Sequence, residues 1–135
     1  MVIPAELGAL ERIAVWAGDF GRTANLSANL LFAVQLCLEE AVANIIMYSG
    51  AAEQRQDVEV ELVHAGTDVL AIIEDSGRSF DPTAAPPYRK PASLAEAQAG
   101  DLGIHLMRGF SSSMNYERRD GRNRLTLRFG PGQAA

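Results

Sequence analysis

Apolar residues recur at helical spacing through the first third of the chain. They fall three or four positions apart over residues 4–20, and again from a capping residue, Asn25 or Ser27, to Tyr48. This spacing places apolar side chains on one face of a helix. It predicts two helices, and the two glycines within residues 18–21 are expected to end the first of them.

The middle and the end of the chain follow the period of two that is typical of strands. Residues 57–64 alternate and predict a half-exposed strand, whereas residues 69–74 are apolar on both faces, as in a central strand. Residues 114–118 and 124–129 predict a final hairpin around an Asp-Gly turn. Residues 102–110 predict a third helix before that hairpin.

A proline-rich connection separates the two pairs of strands. Residues 82–100 contain four of the six prolines and many alanines. Long loops in compact domains are usually functional, so residues 82–101 are predicted to form a lid. The order of elements is two helices, two strands, the lid, a helix and two strands. It predicts an α+β fold, a two-layer sandwich with helices on one face of a mostly antiparallel sheet.

Composition bounds the class of protein without identifying it. The chain has 135 residues, 47% of them apolar and 21% charged, which fits one domain over residues 1–135. A net charge of −5 gives no reason to expect direct nucleic-acid binding. The single cysteine, Cys37, excludes an internal disulfide. With neither a secretion signal nor an apolar run of about 18 residues, we expect a cytoplasmic protein that does not enter a membrane.

Arginines concentrate in the last third of the chain. Six of them are Arg108, Arg118, Arg119, Arg122, Arg124 and Arg128. Such a group is commonly a solvated face, and the alternative is a patch that binds an acidic partner. The sequence leaves both interpretations open.

The second helix carries a polar pair in an otherwise apolar run. Glu40 and Asn44 stand four residues apart within residues 36–48, so their side chains lie on one helix face. A carboxylate beside an amide oxygen suits a divalent cation or a proton transfer. On this segment alone, a Glu that hydrogen-bonds within the core or faces solvent is the commoner interpretation.

Two glycine-containing segments follow the polar pair. Asp75 and Gly77 come directly after the predicted central strand, where a carboxylate can accept a hydrogen bond from an exocyclic amine. Gly77 has no Cβ and lets the backbone approach a planar ligand. Gly100 and Gly103 stand at the start of a helix, where backbone N–H groups can meet phosphates. Each segment alone also fits an ordinary turn, and the sequence contains no P-loop.

The order and spacing of these motifs resemble the GHKL superfamily of ATPases. The pattern is a Glu-x-x-x-Asn helix, then Asp-x-Gly-x-x-Phe-Asp-Pro after a strand, then a lid, then Gly-x-x-Gly-Ile entering a helix. The superfamily includes gyrase, heat-shock chaperone, histidine kinase and mismatch-repair ATPases, which share the Bergerat fold. The small size, Tyr48 and the closing residues 121–127 are similar to one branch, the stand-alone anti-sigma-factor serine kinases. The resemblance covers residues 5–129.

The resemblance implies a role for each matching residue. Asn44 would hold Mg²⁺, and Glu40 would be the general base that deprotonates the acceptor hydroxyl. Asp75 would bind the adenine amino group above Gly77, and Thr126, on the strand expected beside Asp75, would help to hold adenine. Further nucleotide contacts would come from Tyr48, Phe80, Gly100, Leu102, Gly103 and Ile104. The cofactors implied are ATP and Mg²⁺, and phosphoryl transfer needs mainly such positioning and charge neutralisation.

The resemblance also implies a preferred function. It is a kinase that transfers the γ-phosphate of ATP to a small STAS-type anti-anti-sigma partner and that also binds a sigma factor or another regulator. The alternative is a nucleotide-dependent partner-switching module with little or no kinase activity. An isolated histidine-kinase catalytic domain ranks below both, since the lid is short and no dimerisation helix pair precedes it. A structural α+β domain with coincidental glycines is the remaining interpretation.

The sequence departs from the superfamily pattern at three places. Asp101 stands beside the expected phosphates where relatives often have glycine, and its carboxylate would repel ATP unless it points outward. Residues 111–113 are serines where relatives are often acidic. Residues 1–3 are too short to show a first strand before Pro4. Because that strand often serves the dimer interface in relatives, a homodimer is left open.

Overall fold

The computed structural model describes residues 1–51, 53–87 and 101–130, in which five strands, three helices and one 3-10 turn follow one another. The strands are β1 Val2–Pro4, β2 Asp57–Ala65, β3 Asp68–Asp75, β4 Ser113–Arg119 and β5 Arg122–Phe129. The helices are α1 Ala9–Thr23, α2 Ala28–Tyr48 and α3 Asp101–Phe110, and the 3-10 turn is Pro82–Ala84. The predicted lid, residues 82–101, falls mostly outside the described residues.

The five strands pair antiparallel in one sheet of order β1-β2-β3-β5-β4. β3 is therefore the central strand, as its apolar composition predicted. The helices pack on this sheet, and α2 contacts both β3 and β5. The α+β sandwich predicted from the order of elements is confirmed.

Burial alternates along β3 and β5, the strands on which α2 packs. The buried residues are Val69, Ala71, Ile73 and Asp75 in β3, and Asn123, Leu125, Leu127 and Phe129 in β5. Each row is apolar until it ends on a polar residue, Asp75 or Asn123, and these two are partners in the strand register. The fold thus places two polar side chains next to each other at the edge of its core.

α2 is the central helix of the core. Its buried residues are Ala33, Val34, Cys37, Leu38, Ala41, Val42, Asn44 and Ile45. The Ser27 hydroxyl accepts a hydrogen bond from the Leu30 N–H at 3.1 Å, so Ser27 rather than Asn25 caps the helix. By length and composition alone this helix could cross a membrane. Its contacts with α1, α3, β3 and β5 account for the same apolar character, because a helix that is apolar nearly all round is covered by neighbours.

Two glycines that were expected to end the first helix lie inside it. α1 continues through Gly18 and Gly21 to Thr23. At Gly21 an added Cβ would lie 2.7 Å from Cδ1 of Leu31, so the glycine lets α1 and α2 approach closely. Contact between the helices outweighs the low helix propensity of glycine. The predicted bounds, residues 4–20, were wrong at both ends.

The chain has a first strand that the sequence pattern did not reveal. β1 pairs with β2 through Val2 with Glu59, Ile3 with Val58 and Pro4 with Asp57, and the Ile3 side chain is buried in the core. Three residues are too few to display a period of two, and proline is tolerated on an edge strand. The expectation that residues 1–3 are too short for a first strand before Pro4 was wrong, whereas the homodimer stays a prediction.

Most of the arginine group has acceptors within the chain. Arg122 and Arg124 pair with Glu74, Arg122 also with Glu59, and Arg128 with Asp68, at 2.6 to 3.3 Å. Arg108 and Arg118 donate to backbone carbonyls. Exposed ion pairs of this kind contribute only about 0–1 kcal/mol each. The pairing favours a solvated face over a patch reserved for an acidic partner.

Candidate functional site

A small cavity lies where α2 faces the ends of β3 and β5. Its walls are formed by Ala41, Asn44, Ile45, Ile73, Asp75, Phe80, Pro82, Met107, Tyr116, Asn123 and Leu125. Three predicted site residues, Asn44, Asp75 and Phe80, are therefore brought together. A few polar groups converging in an otherwise apolar pocket is the usual composition of a small-molecule site.

The cavity is narrow. Its volume is about 20 Å³, which is room for about one water molecule. A purine ring is several times larger than this volume, so the cavity as it stands does not enclose a base. Phe80 and Tyr116 are the aromatic side chains of the lining and are only half-buried.

Asp75 ends β3 with its carboxylate buried at the cavity. Only 2% of the residue is exposed. Its Oδ2 accepts a hydrogen bond from the Gly77 N–H at 2.8 Å, and both of its oxygens lie 3.2 Å from the Asn123 amide nitrogen Nδ2. A carboxylate has about four acceptor positions, so it retains capacity for a further donor. The exocyclic amine of a ligand in the cavity is such a donor.

Gly77 is glycine because Ser49 leaves no room for a side chain. A Cβ at this position would lie 2.6 Å from the Ser49 hydroxyl oxygen and 2.7 Å from the Ser49 Cβ. The next residue reinforces the contact. The Arg78 N–H donates to the Ser49 carbonyl at 2.5 Å, and the Arg78 guanidinium donates to the Tyr48 carbonyl at 3.3 Å. The segment after β3 is thereby held on the C-terminal end of α2.

Asn123 is a site residue that the sequence prediction missed. It is the register partner of Asp75 and lies on the buried face of β5. Thr126, which was predicted to help hold adenine, pairs with Ile72 and lies on the other face of the sheet. That prediction was wrong, because side chains alternate between the two faces of a strand. The signal was present in residues 123–129, where Thr126 shares the parity of the arginines rather than that of the buried residues.

Tyr48 and Phe80 form a stacked aromatic pair. Their ring centroids lie 5.5 Å apart and their planes are inclined by 17°. Phe80 lines the cavity, and the Tyr48 hydroxyl is buried with no hydrogen-bond partner among the described residues. Buried polar groups are nearly always bonded to protein or water. The pair supplies an apolar wall beside a polar group that is open to a further partner.

Asn44 presents a second unmet polar group at the cavity. The residue is 4% exposed, and its Nδ2 finds no partner in the part of the chain that the structure describes. An unsatisfied buried amide costs about 1–3 kcal/mol, which fits a position adapted to a ligand. The two ends of an Asn amide are nearly identical in shape. Its oxygen end is a ligand that suits Mg²⁺, which also binds phosphates and water, so the residue fits a metal held against a nucleotide.

Glu40 lies one helical turn before Asn44 and packs against α3. A Cβ on Gly103 would lie 3.3 Å from the Glu40 Cδ and would overlap its Oε2. Burial raises the pKa of the Glu40 carboxyl above its usual value, and the charge of Glu39 adds to the rise. A raised pKa suits a carboxylate that exchanges protons with a substrate. Burial, together with the charge of Glu40, also raises the pKa of Cys37 to about 12, which disfavours the thiolate form that a nucleophile requires.

The start of α3 is where phosphates were predicted to bind. Leu102 is exposed, whereas Gly103 is buried and the Ile104 side chain belongs to the core. A helix N-terminus carries free N–H groups and a partial positive charge, here next to the carboxylate that meets Gly103. Gly100 and the side chain of Asp101 lie outside the described residues, so what was expected of them stays a prediction.

Comparison with known proteins agrees with the motifs. A family model described as a histidine kinase-like ATPase domain matches residues 3–129. The chain is 39% identical over 103 residues to the serine/threonine-protein kinase BtrW of Bordetella bronchiseptica, a match that covers 75% of this chain and 71% of the relative. The resemblance to the ATP-binding superfamily and to its serine kinase branch is confirmed. The predicted enzyme class agrees with the name of the relative.

Proposed function

Because the chain belongs to the histidine kinase-like ATPase domain family, we propose that it is an ATP-dependent protein serine/threonine kinase. The proposal is carried by the convergence of Asn44 and Asp75 on one cavity, with Glu40 one helical turn from Asn44. A metal ligand, a group that recognises the base and a general base are then arranged around a single nucleotide. The name of the relative, a serine/threonine-protein kinase, supports the acceptor class.

The nucleotide is held at three points in this proposal. Asp75 accepts a hydrogen bond from the adenine amino group, and the Gly77 N–H holds the Asp75 carboxylate in place. Asn44 is the ligand for Mg²⁺, which when bound neutralises phosphate charge. The backbone N–H groups of Leu102 and Gly103 bind phosphate oxygens at the start of α3. Such positioning is most of what phosphoryl transfer requires.

Glu40 acts on the acceptor. Its carboxylate takes the proton of a Ser or Thr hydroxyl as that oxygen attacks the γ-phosphorus. The new phosphorus–oxygen bond forms while the bond to the β–γ bridging oxygen breaks, and ADP leaves with that electron pair. The raised pKa of Glu40 makes it a stronger base than an ordinary Glu. General-base catalysis of this kind contributes about 10²–10⁴-fold to the rate.

The proposed partners follow from the branch of the superfamily that the motifs resemble. The acceptor is a small STAS-type anti-anti-sigma protein, and the second partner is a sigma factor or another regulator. We place these events in the cytoplasm, with neither direct nucleic-acid binding nor a membrane. Light scattering of the purified chain tests whether it forms a homodimer.

Transfer of the γ-phosphate from labelled ATP to a purified STAS-type protein tests the kinase. Glu40→Gln is expected to lower the transfer rate about 10²–10⁴-fold, because it removes the base while keeping the shape of the side chain. Glu39→Gln is the matched control, since it makes the same change at the neighbouring carboxylate and is expected to keep most of the activity. Transfer at the wild-type rate by Glu40→Gln would contradict the role of Glu40.

Calorimetry separates this proposal from the partner-switching module. The kinase is expected to bind ATP and to yield phosphoprotein, with loss of Mg²⁺-dependent binding in Asn44→Ala. Nucleotide binding without any phosphoprotein would favour the module. A wild-type chain that binds no nucleotide would contradict both functions.

A further inference from the structure

A chain of hydrogen bonds leads from the surface of β4 to the carboxylate of Asp75. It begins at Arg118, an exposed residue of β4, and passes through the Asn123 amide on β5. We propose that Arg118 is a positioning residue that sharpens recognition of the adenine amino group by acting through Asn123 on Asp75. The inference rests on the proposed function, because it concerns the base that the cavity would hold.

The oxygen end of the Asn123 amide is saturated with donors. Arg118 Nη1 donates to Asn123 Oδ1 at 2.9 Å, and the Tyr116 hydroxyl donates to the same oxygen at 2.5 Å. A carbonyl oxygen has two lone pairs, and both are used. Turning the amide over would place its NH₂ group against the Arg118 guanidinium, which can only donate. Arg118 therefore sets the direction in which the Asn123 amide points, whereas the Tyr116 hydroxyl can donate or accept.

The nitrogen end of the same amide faces the segment that binds the base. Asn123 Nδ2 donates to the Arg78 carbonyl at 2.8 Å and lies 3.2 Å from each Asp75 oxygen. An amide nitrogen carries two hydrogens, so one serves Arg78 and the carboxylate oxygens share the other. The Gly77 N–H holds the carboxylate from its other side. The orientation of Asp75 thus depends on the orientation of Asn123.

Arg118 also holds the segment that follows Asp75. The same Nη1 donates to the Gly77 carbonyl at 2.9 Å, so one nitrogen of the guanidinium joins β5 to this segment. Without Arg118, the Asn123 oxygen keeps only the Tyr116 donor. The amide is then freer to rotate, and a rotated amide directs its oxygen at the Asp75 carboxylate, which repels it. The carboxylate loses the position from which it meets the adenine amine.

A nucleotide analogue separates this role from other effects. Purine riboside triphosphate differs from ATP only in lacking the amino group at C6, so it reports every contact except the one with Asp75. A residue that positions Asp75 affects the binding of ATP much more than that of the analogue. A residue that supports the fold, or attracts the phosphates by its charge, affects both nucleotides alike.

The adjacent arginine provides a matched control. Arg119 follows Arg118 on β4 and pairs in register with Arg122, so its side chain lies on the other face of the sheet. Arg118→Met and Arg119→Met remove the same charge at neighbouring positions. Any difference between them reports the hydrogen bonds of Arg118.

Calorimetry with ATP and with purine riboside triphosphate, each with Mg²⁺, tests the inference. Arg118→Met is expected to weaken ATP binding about tenfold, the usual effect of losing a hydrogen bond to a charged group. Binding of the analogue is expected to change less than about twofold, as is binding of both nucleotides to Arg119→Met. Arg118→Lys keeps a donor and is expected to recover part of the preference for ATP.

Several outcomes would overturn the inference. One is an equal loss of affinity for both nucleotides in Arg118→Met. Another is a loss of ATP affinity in Arg119→Met that equals the loss in Arg118→Met. Melting temperatures identify a variant that fails to fold. If Arg118→Met does not fold, the preference of Arg118→Lys for ATP over the analogue is the deciding measurement. If the wild-type chain binds ATP and Arg118→Met keeps the same preference for ATP over the analogue, this inference alone is contradicted. A wild-type chain that binds neither nucleotide sinks the proposed function as well.

Discussion

At the scale of single residues, the site consists of groups whose polarity is costly in an apolar core. Asn44 and Asp75 are both buried, and burial of such groups is unfavourable unless they are bonded. Asp75 is bonded to Gly77 and Asn123, whereas the described residues leave the Asn44 amide nitrogen without a partner. The Asp75 carboxylate is therefore held in position by the protein itself. The Asn44 amide nitrogen, by contrast, would find its partner in a bound ligand.

The raised pKa of Glu40 predicts a pH dependence of stability. The pKa of the Glu40 carboxyl is higher in the folded chain than in the unfolded chain. Between these two pKa values the folded state therefore binds more protons than the unfolded state. The free energy of unfolding consequently falls as the pH rises from the ordinary pKa of Glu through the raised pKa. Glu40→Gln removes this ionisation. Urea unfolding is expected to give equal free energies for the variant and the wild type below about pH 4, and a more stable variant at pH 8.

The opposite order at pH 8 would contradict this picture of Glu40. A variant less stable than the wild type there would mean that the ionised carboxylate has a stabilising partner. The prediction separates stability from catalysis, since the same substitution is expected to abolish most of the phosphoryl transfer.

At the scale of elements, the site depends on the junction between the end of β3 and the end of α2. Gly77 and Arg78 lie against Ser49 just after α2. Ser49 is itself held, because its hydroxyl donates to the Ile45 carbonyl at 2.6 Å. Neither partner can retreat without breaking hydrogen bonds, so this junction sets the distance between the helix that carries Asn44 and the strand that carries Asp75.

Gly77→Ala is therefore expected to destabilise the chain by about 1–3 kcal/mol, the usual cost of forcing a methyl group into a packed contact. Its ATP affinity is expected to fall as well, because the added methyl displaces the segment next to Asp75. Gly8→Ala is the control, since a Cβ there meets no atom within 4 Å, and its effect is expected within about 0.5 kcal/mol. Urea unfolding of both variants measures the difference, and equal stabilities would rule out the contact with Ser49 as a constraint.

At the scale of the whole molecule, the cavity exists only in the folded chain. Its lining comes from α2, β3, α3, β4, β5, the 3-10 turn and the segment between β3 and that turn, so residues far apart in sequence meet there. A ligand that binds such a site stabilises the folded state by mass action. Stability in the presence of nucleotide is consequently a direct measure of an intact site.

ATP with Mg²⁺ at one hundred times its dissociation constant is expected to stabilise the chain by about 2.7 kcal/mol. Asp75→Asn is expected to lose most of this stabilisation at the same ATP concentration, because its amide can direct an NH₂ group at the adenine amine. Asp81→Asn makes the same change at a carboxylate that accepts from the Thr83 N–H at 2.9 Å, outside the cavity lining, and is expected to keep the stabilisation. Thermal unfolding with and without ATP checks both, and full stabilisation of Asp75→Asn would argue against adenine at this carboxylate.

Local patterns in the sequence determined most of the elements and pointed to part of the candidate site. Hydrophobic period and turn residues depend on near neighbours along the chain, and the four later strands and α3 were predicted within two residues of their ends. The pairing of Glu40 with Asn44 on one helix, and of Asp75 with Gly77 after one strand, is local in the same way. These residues could be proposed because their spacing alone brings them together.

Only the tertiary structure decided the features that depend on register and on contacts between distant segments. It placed Asn123 rather than Thr126 beside Asp75, added β1 to the edge of the sheet, and kept Gly21 inside a helix. It also directed Arg118 onto the Asn123 amide. Strand register and helix packing are settled by the burial of the whole core, so no short stretch of sequence contains them.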